Sequence, residues 1–448
     1  MKFTYNRLNL NEKNTNRLLI SLVVLYLFLY GVREVLGVPI PDSIFSLYCM
    51  CAFLALDENR AFSFYLATII TTIPFFEVRI VYIFITIIKR VAKGRGKIYM
   101  DNMALIAISL MLFIQFIDLA IFSKDSFFEF IYKYVQVATI LIIPLLWTTI
   151  NLKKSDIVNA IYCFVSGILI CALSLLWQSI ERYGWAVVVG GQNRLGMDLE
   201  MDSANMSTSL NTNVLAVLMV CVVVLSFILG YCKKMPRGLI AFNSALALVV
   251  ILTTLSRGGI LKLGIFLVFY VLFCIRGKFA FTKRITLVAL ITVVVMYAFI
   301  KLPDIGSGLM YRLTSVSDIT NGRIELNEEC LSAWMDNLYS IFFGYGAQNY
   351  LTAVSTLKNS AHNMVVDVLV SWGLVGLMSL VGWYYYLYKA YIKRTNAAPL
   401  RIALLPAAMY IISLQDGQFL TVETPFMILS FFFIIGNLLS SVEMSRKR

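Results

Sequence analysis

Runs of mostly apolar residues alternate with short polar connections along nearly the whole chain, and many are about 18 to 22 residues long, the length a helix needs to cross the hydrocarbon layer. The pattern predicts spans at residues 18–37, 39–56, 61–76, 78–92, 102–123, 127–150, 156–177, 211–232, 238–254, 257–275, 284–301, 362–388, 400–414 and 422–441. That is fourteen; the second to fourth are short enough to be merged or re-entrant, which would leave twelve. Inside hydrocarbon a helix satisfies its own backbone groups, so the expected fold is all-α, a polytopic transmembrane helical bundle of about 12–14 spans. Residues 1–448 are expected to form a single integral membrane domain.

Two longer polar segments interrupt the alternation, at 178–210 and 301–361. In the second, Ile324, Leu331, Trp334 and Leu338 recur at near-helical spacing while Glu325, Glu328 and Glu329 lie elsewhere on the wheel. The larger loop is therefore expected to be partly helical, with an amphipathic helix resting on the membrane face or on the bundle.

Composition agrees with this class: 60% of residues are hydrophobic and 14% charged, too apolar for one water-soluble core. A formal net charge of +13 would suggest nucleic acid in a soluble protein, but here the basic residues cluster in the short connections. With the N-terminus inside, 26 of the 38 lysines and arginines fall on the inner side, from Lys2 and Arg7 to Arg446, Lys447 and Arg448. By the positive-inside pattern both termini are expected in the cytoplasm and the segments 178–210 and 301–361 outside, with the lipid bilayer and no nucleic acid as partner. The polar segment before Arg17 lacks a small-residue cleavage site, so the first apolar run is expected to be a retained span. Seven of the eight cysteines fall within or at the ends of apolar runs; Cys330 alone sits in an outer loop, and no intrachain disulfide is expected there.

The candidate chemistry collects on the outer side. His362, the only histidine, precedes a long apolar run, and an imidazole is the side chain whose ordinary pKa suits proton transfer near neutral pH. Its alternative is a polar helix cap. Asn363, Asp367 and Ser371 follow at four-residue spacing and form a polar stripe, in which Asp367 is either functional or paired to a neighbouring span. Arg257, in LSRGGIL, stands at the outer end of a span, where a guanidinium meets an anionic ligand or snorkels to headgroups. Arg323, in NGRIELNEECLSAW, suits a diphosphate or carboxylate, or else pairs with Glu325 or Glu328. Arg194, in GGQNRLGMDLEMDS, has a similar status. Asn211 and Asn213 begin another span that enters from outside, with Ser209 or Asn211 able to cap it. The spans starting near Asn211, Arg257 and His362 would all turn their N-terminal amides outward, where an anion could be held.

Asp198, Glu200 and Asp202 alternate and could face a divalent cation, but three carboxylates are an incomplete ligand set and a solvated acidic loop is the better account. No metal site and no cofactor is expected. The sequence has no P-loop and no H-E-x-x-H, so nucleotide-driven transport and zinc proteolysis lack support.

Taken in order, SLNTNVLA, LSRGGIL, Arg323 with the amphipathic segment ending in FFGYGAQNY, and AHNMVVDVLVSWGLVG resemble the bacterial O-antigen polymerase and O-antigen ligase superfamily over roughly residues 190–390. The resemblance implies an integral glycosyltransferase on the outer face of the bacterial inner (plasma) membrane, using a polyprenyl-diphosphate-linked oligosaccharide and no metal. It implies that Arg257 and Arg323 hold the diphosphate and that His362 lies next to the transfer site. Arg194 and Asn213 align with the family's outer-loop arginine and span-start asparagine; with Asn211, Asn363 and Asp367 they complete the candidate substrate-binding set. Polymerase is favoured over ligase as the commoner identity for chains that match only at these short elements. A lipid-linked oligosaccharide flippase is the alternative from another class, and a chain-length regulator protein is a candidate partner.

Overall fold

The computed structural model describes residues 12–69, 75–92, 102–123, 126–150, 152–185, 188, 195, 212–231, 233–254, 256–271, 281–282, 284–286, 289, 323–347, 349–357, 361, 363–394 and isolated positions between 427 and 434. The helices are α1 (Glu12–Leu36), α2 (Asp42–Ala55), α3 (Glu58–Thr68), α4 (Phe75–Ala92), α5 (Asn102–Phe122), α6 (Phe127–Thr148) and α7 (Lys154–Tyr183). They continue with α8 (Thr212–Tyr231), α9 (Arg237–Thr254), α10 (Arg257–Phe269), α11 (Arg323–Trp334), α12 (Leu338–Phe342), α13 (Tyr350–Ala353) and α14 (Met364–Arg394). The chain is an all-α polytopic membrane protein, as its hydropathy predicts.

Seven helices among the described residues are long and apolar enough to cross a membrane: α1, α5, α6, α7, α8, α9 and α14. Where spans are expected at 39–56, 61–76 and 78–92 stand the separate helices α2, α3 and α4, which are not among those seven. The expected spans at 284–301, 400–414 and 422–441 lie wholly or largely outside the described residues. The helix expected to end at residue 177 runs on to Tyr183, leaving Trp177 and Trp185 exposed near its end.

Polar contacts show which helix ends lie together. Arg60 at the start of α3 pairs with Asp57 and donates its Nε–H to Asn16 of α1 at 2.9 Å. Asn59 donates to Asp156 at the start of α7 at 2.8 Å. Arg90, at the end of α4, pairs with Glu58 and donates to Thr149 beyond α6 at 2.6 Å. Lys89 reaches the Phe53 and Leu56 carbonyls at the end of α2. These groups form a polar ring at one end of the bundle, the end that the basic residues assign to the cytoplasm. At the other end Arg33 of α1 pairs with Asp42 at the start of α2, and Gln178 of α7 donates to the Glu34 carbonyl at 2.6 Å. Successive helices α1 to α4 therefore alternate in direction, as the charge pattern requires.

Between the two ends the core is aromatic. Tyr65 and Tyr82 stack with centroids 4.4 Å apart, and Phe62 meets Trp147 edge-on at 5.3 Å. With no hydrophobic force between helices in lipid, such close packing and the polar end groups carry their association.

Candidate functional site

In the second half, the chain turns from α9 into α10 at Ser256, whose hydroxyl accepts from the Gly259 N–H at 3.2 Å and so caps α10. That hydroxyl also donates to the Asn213 Oδ1 of α8 at 3.0 Å. Leu195, buried, donates its N–H to the Thr253 carbonyl at 3.1 Å. One corner thus gathers the start of α8, the α9–α10 turn and the residue after Arg194. Arg257 is the first residue of α10, placing its backbone at a capped N-terminus where the helix dipole favours an anion. Its side chain, like that of Arg323 at the start of α11, lies outside the described residues, and so do Arg194, Asn211, His362 and the acidic trio Asp198, Glu200 and Asp202.

The second assembly is built from α5, the loop 335–357 and the first half of α14. Asn363 caps α14: its Oδ1 accepts from the Val365 N–H at 3.1 Å and its carbonyl from the Asp367 N–H at 2.8 Å. Asp367 is buried, 5% exposed, and its Oδ1 accepts from the Tyr350 hydroxyl and from the Ala361 N–H, both at 3.1 Å. Both neighbours of His362 in sequence are therefore fixed, Ala361 by Asp367 and Asn363 by the helix it caps. Ser371, the last of the polar stripe, is buried and lends its carbonyl to the Gly346 N–H at 2.8 Å.

Helix α14 does not run straight. At Gly373 the backbone takes φ 62 and ψ −163, a left-handed φ that breaks the hydrogen-bond ladder and frees the carbonyls of the preceding turn. The loop fills the gap: Tyr345 N–H donates to the Val370 carbonyl at 2.9 Å, next to the Gly346 bond to Ser371. Backbone meets backbone here with no room for a methyl group, since a Cβ on Gly373 or on Gly344 would stand under 3.0 Å from the main chain of Phe342 or Ser371.

Two side chains of α5, unnoticed in the sequence, hold this loop. Gln115 Nε2 donates to the Ala347 carbonyl at 3.0 Å, and its Oε1 accepts from the Ala347 N–H at 2.8 Å and from Trp372 Nε1 at 2.7 Å. Asp118, fully buried, accepts from the Tyr339 hydroxyl at 2.8 Å. Gln115 and Asp118 are the polar positions of the otherwise apolar stretch LMLFIQFIDLAIF, and the rule that drew attention to Asp367 applies to Asp118 as well. Gln115→Leu would leave the Ala347 peptide and the Trp372 indole unsatisfied in the core. With about 1–3 kcal/mol for each orphaned group, a loss of about 3 kcal/mol or more is expected, read as a lower melting midpoint in detergent.

The loop helices are tied to each other. Asn337 and Ser340 cap α12 reciprocally, at 2.9 and 3.2 Å, and Trp334 Nε1 donates to the Ile341 carbonyl at 3.0 Å. The amphipathic expectation for this segment holds only in part. Cys330 and Ala333 form the buried face of α11, Leu331 and Trp334 flank it, and Ile324 and Leu338 are exposed. The helix ends at Trp334, so Leu338 belongs to the next one and the assumed continuous wheel does not exist. Burial pushes the Cys330 thiol up to about 12, with the Asp367 and Glu329 carboxylates adding to the effect, so this free thiol is inert at neutral pH.

The arrangement supplies two helix starts, one carrying Arg257 and the other the neighbours of His362, and a loop locked onto the second by α5. No curated protein matches the chain. Residues 242–381 match the Wzy_C family model, described as O-antigen ligase. The matched stretch takes in Ser256, Arg257, Arg323, the locked loop and Gly373 but not Gln115 or Asp118. This stretch of the chain is similar to that family, which supports O-antigen ligase or polymerase type membrane glycosyl transfer.

Proposed function

We propose that the protein polymerises oligosaccharide repeat units carried on a polyprenyl diphosphate, at the outer face of a bacterial plasma membrane, with both termini in the cytoplasm. The observation that supports this is that two elements of the matched stretch begin helices: Arg257 opens the capped helix α10, and the residues flanking His362 open α14, both at starts that the charge pattern of the sequence puts on the outer side. In the reaction, an acceptor hydroxyl attacks the anomeric carbon of the donor sugar. The bond from that carbon to the diphosphate oxygen breaks, and the electron pair leaves with the polyprenyl diphosphate. Arg257 and Arg323 stabilise the charge that develops on the departing phosphate, which fixed guanidinium groups do most effectively where water is excluded. His362 takes the proton from the acceptor hydroxyl, or orients that hydroxyl. Arg194, Asn211, Asn213 and Asn363 are proposed to bind the donor and acceptor, while Asp367 supports the site from behind through Tyr350 and Ala361.

Polymerase and ligase share this donor chemistry and differ in acceptor. Purified protein incubated with lipid-linked repeat units alone is expected to yield a ladder of products. Single transfer only to added lipid A core or protein, with no ladder, would assign the ligase reaction. Two arginines in place of a divalent cation also predict that chelator-washed membranes keep full activity; a strict metal requirement would return attention to Asp198, Glu200 and Asp202.

A further inference from the structure

The segment 301–361 has the composition of an aqueous loop, yet part of it is anchored deep along two spanning helices. Helix α5 is 21 residues long, about 31 Å, which just matches a hydrocarbon layer of roughly 30 Å. Asp118, bonded to Tyr339, is four residues from the end of α5, and Gln115, bonded to Ala347, is seven. Those contacts lie about 6 and 10 Å below that end. A second ruler agrees. The apolar stretch Met364–Lys389 has 26 residues, about 39 Å, so roughly 9 Å of it projects beyond the hydrocarbon. Gly373, packed on the Phe342 main chain, is nine residues or about 13 Å from the start of α14, and so still lies below the boundary.

The polar atoms of the segment are arranged as hydrocarbon demands. The N–H groups of Tyr345, Gly346 and Ala347 are all bonded within the protein, to Val370, Ser371 and Gln115. Its free surface, in contrast, is apolar: Leu338 is 76% exposed, Phe342 47% and Phe343 39%. That surface is continuous with the aromatic edge of α5, since Phe122 meets Tyr339 at 5.5 Å and Tyr339 meets Phe343 at 5.3 Å. Asp336 and Asn337, both exposed and polar, precede it.

We propose that residues 338–347 form a re-entrant element of the bilayer, with Leu338, Phe342 and Phe343 seated in the acyl chains of the leaflet on that side. This seating in the bilayer is independent of the reaction catalysed. The test places spin labels at Leu338→Cys and Phe342→Cys in the full-length protein, reconstituted into phosphatidylethanolamine and phosphatidylglycerol vesicles, with labelled unsubstituted protein as the blank for native thiols. Both labels are expected to collide with dissolved oxygen as freely as a label at the exposed Phe113→Cys on α5, and to meet a water-soluble nickel chelate several-fold less often than one at Glu328→Cys. Nickel access at both positions equal to that at Glu328→Cys would overturn the proposal. Should Phe342→Cys fail to fold, Leu338→Cys decides alone, because its side chain stands clear of the protein.

Discussion

Gly373→Ala is expected to leave the protein inserted in the membrane but unable to close the loop 335–357 onto α14. Two costs combine. A non-glycine residue at φ 62 costs about 1–2 kcal/mol in backbone strain alone. The added methyl would also stand under 3.0 Å from the Phe342 carbonyl carbon, which is main chain and cannot rotate away. Either the loop withdraws, orphaning the Val370 and Ser371 carbonyls along with Gln115, or α14 straightens and expels it. A loss of more than about 4 kcal/mol follows, in the range reserved for a few severe mechanisms. It would be measured as a fall in apparent melting midpoint in detergent together with loss of transfer activity. A Gly373→Ala protein with unchanged midpoint and activity would show that the break in α14 is dispensable. Gly344→Ala, facing the Ser371 main chain from the other side at φ 82, should behave alike.

The second large effect is chemical and leaves stability intact. On the proposed reaction, His362→Ala removes the group that accepts or orients the acceptor proton, a contribution of about 10²–10⁴ in rate. Arg257→Ala removes one stabiliser of the leaving diphosphate, worth about 10²–10³. Both proteins are expected at normal abundance with long-chain glycan abolished in cells; for Arg257, the start of its helix is capped by Ser256. Arg257→Lys keeps the charge and loses the bidentate fork, so partial activity there would point to diphosphate geometry as its task. Normal glycan from an equally abundant His362→Ala protein would rule out a catalytic role for the histidine.

Much of this was legible in the chain. Hydropathy located the helices because lipid imposes one rule on all backbone polar groups, and the basic connections marked alternate ends because the helices do alternate. The short elements LSRGGIL and AHNMVVDVLVSWGLVG mark two helix starts, α10 and α14, and Asn213 lies beside the first of them. What sequence could not convey was partnership across distance. Gln115 looked like a stray polar residue in a span because its partners, Ala347 and Trp372, are 232 and 257 positions away. The stripe through Asp367 was visible, but whether it faced a substrate or a loop depended on the fold. The amphipathic helix was read too long because a helical wheel has no means of registering the reciprocal cap at Asn337, which starts a new helix.

The separation that hid Gln115 also governs how the molecule is made. Helix α5 enters the membrane early in synthesis, with the Gln115 amide and Asp118 carboxyl embedded and their eventual partners not yet translated. A polar group in that position costs free energy until it is matched, so the nascent bundle must hold these two side chains against temporary neighbours or water. Only after the helix beginning at Met364 has been inserted can Trp372 and the Ala347 peptide reach Gln115, because contacts so remote in sequence form late. Ribosomal stalling or truncation before that point would yield a chain with every early helix in place and an unsated amide in the bilayer, a natural mark for membrane quality control.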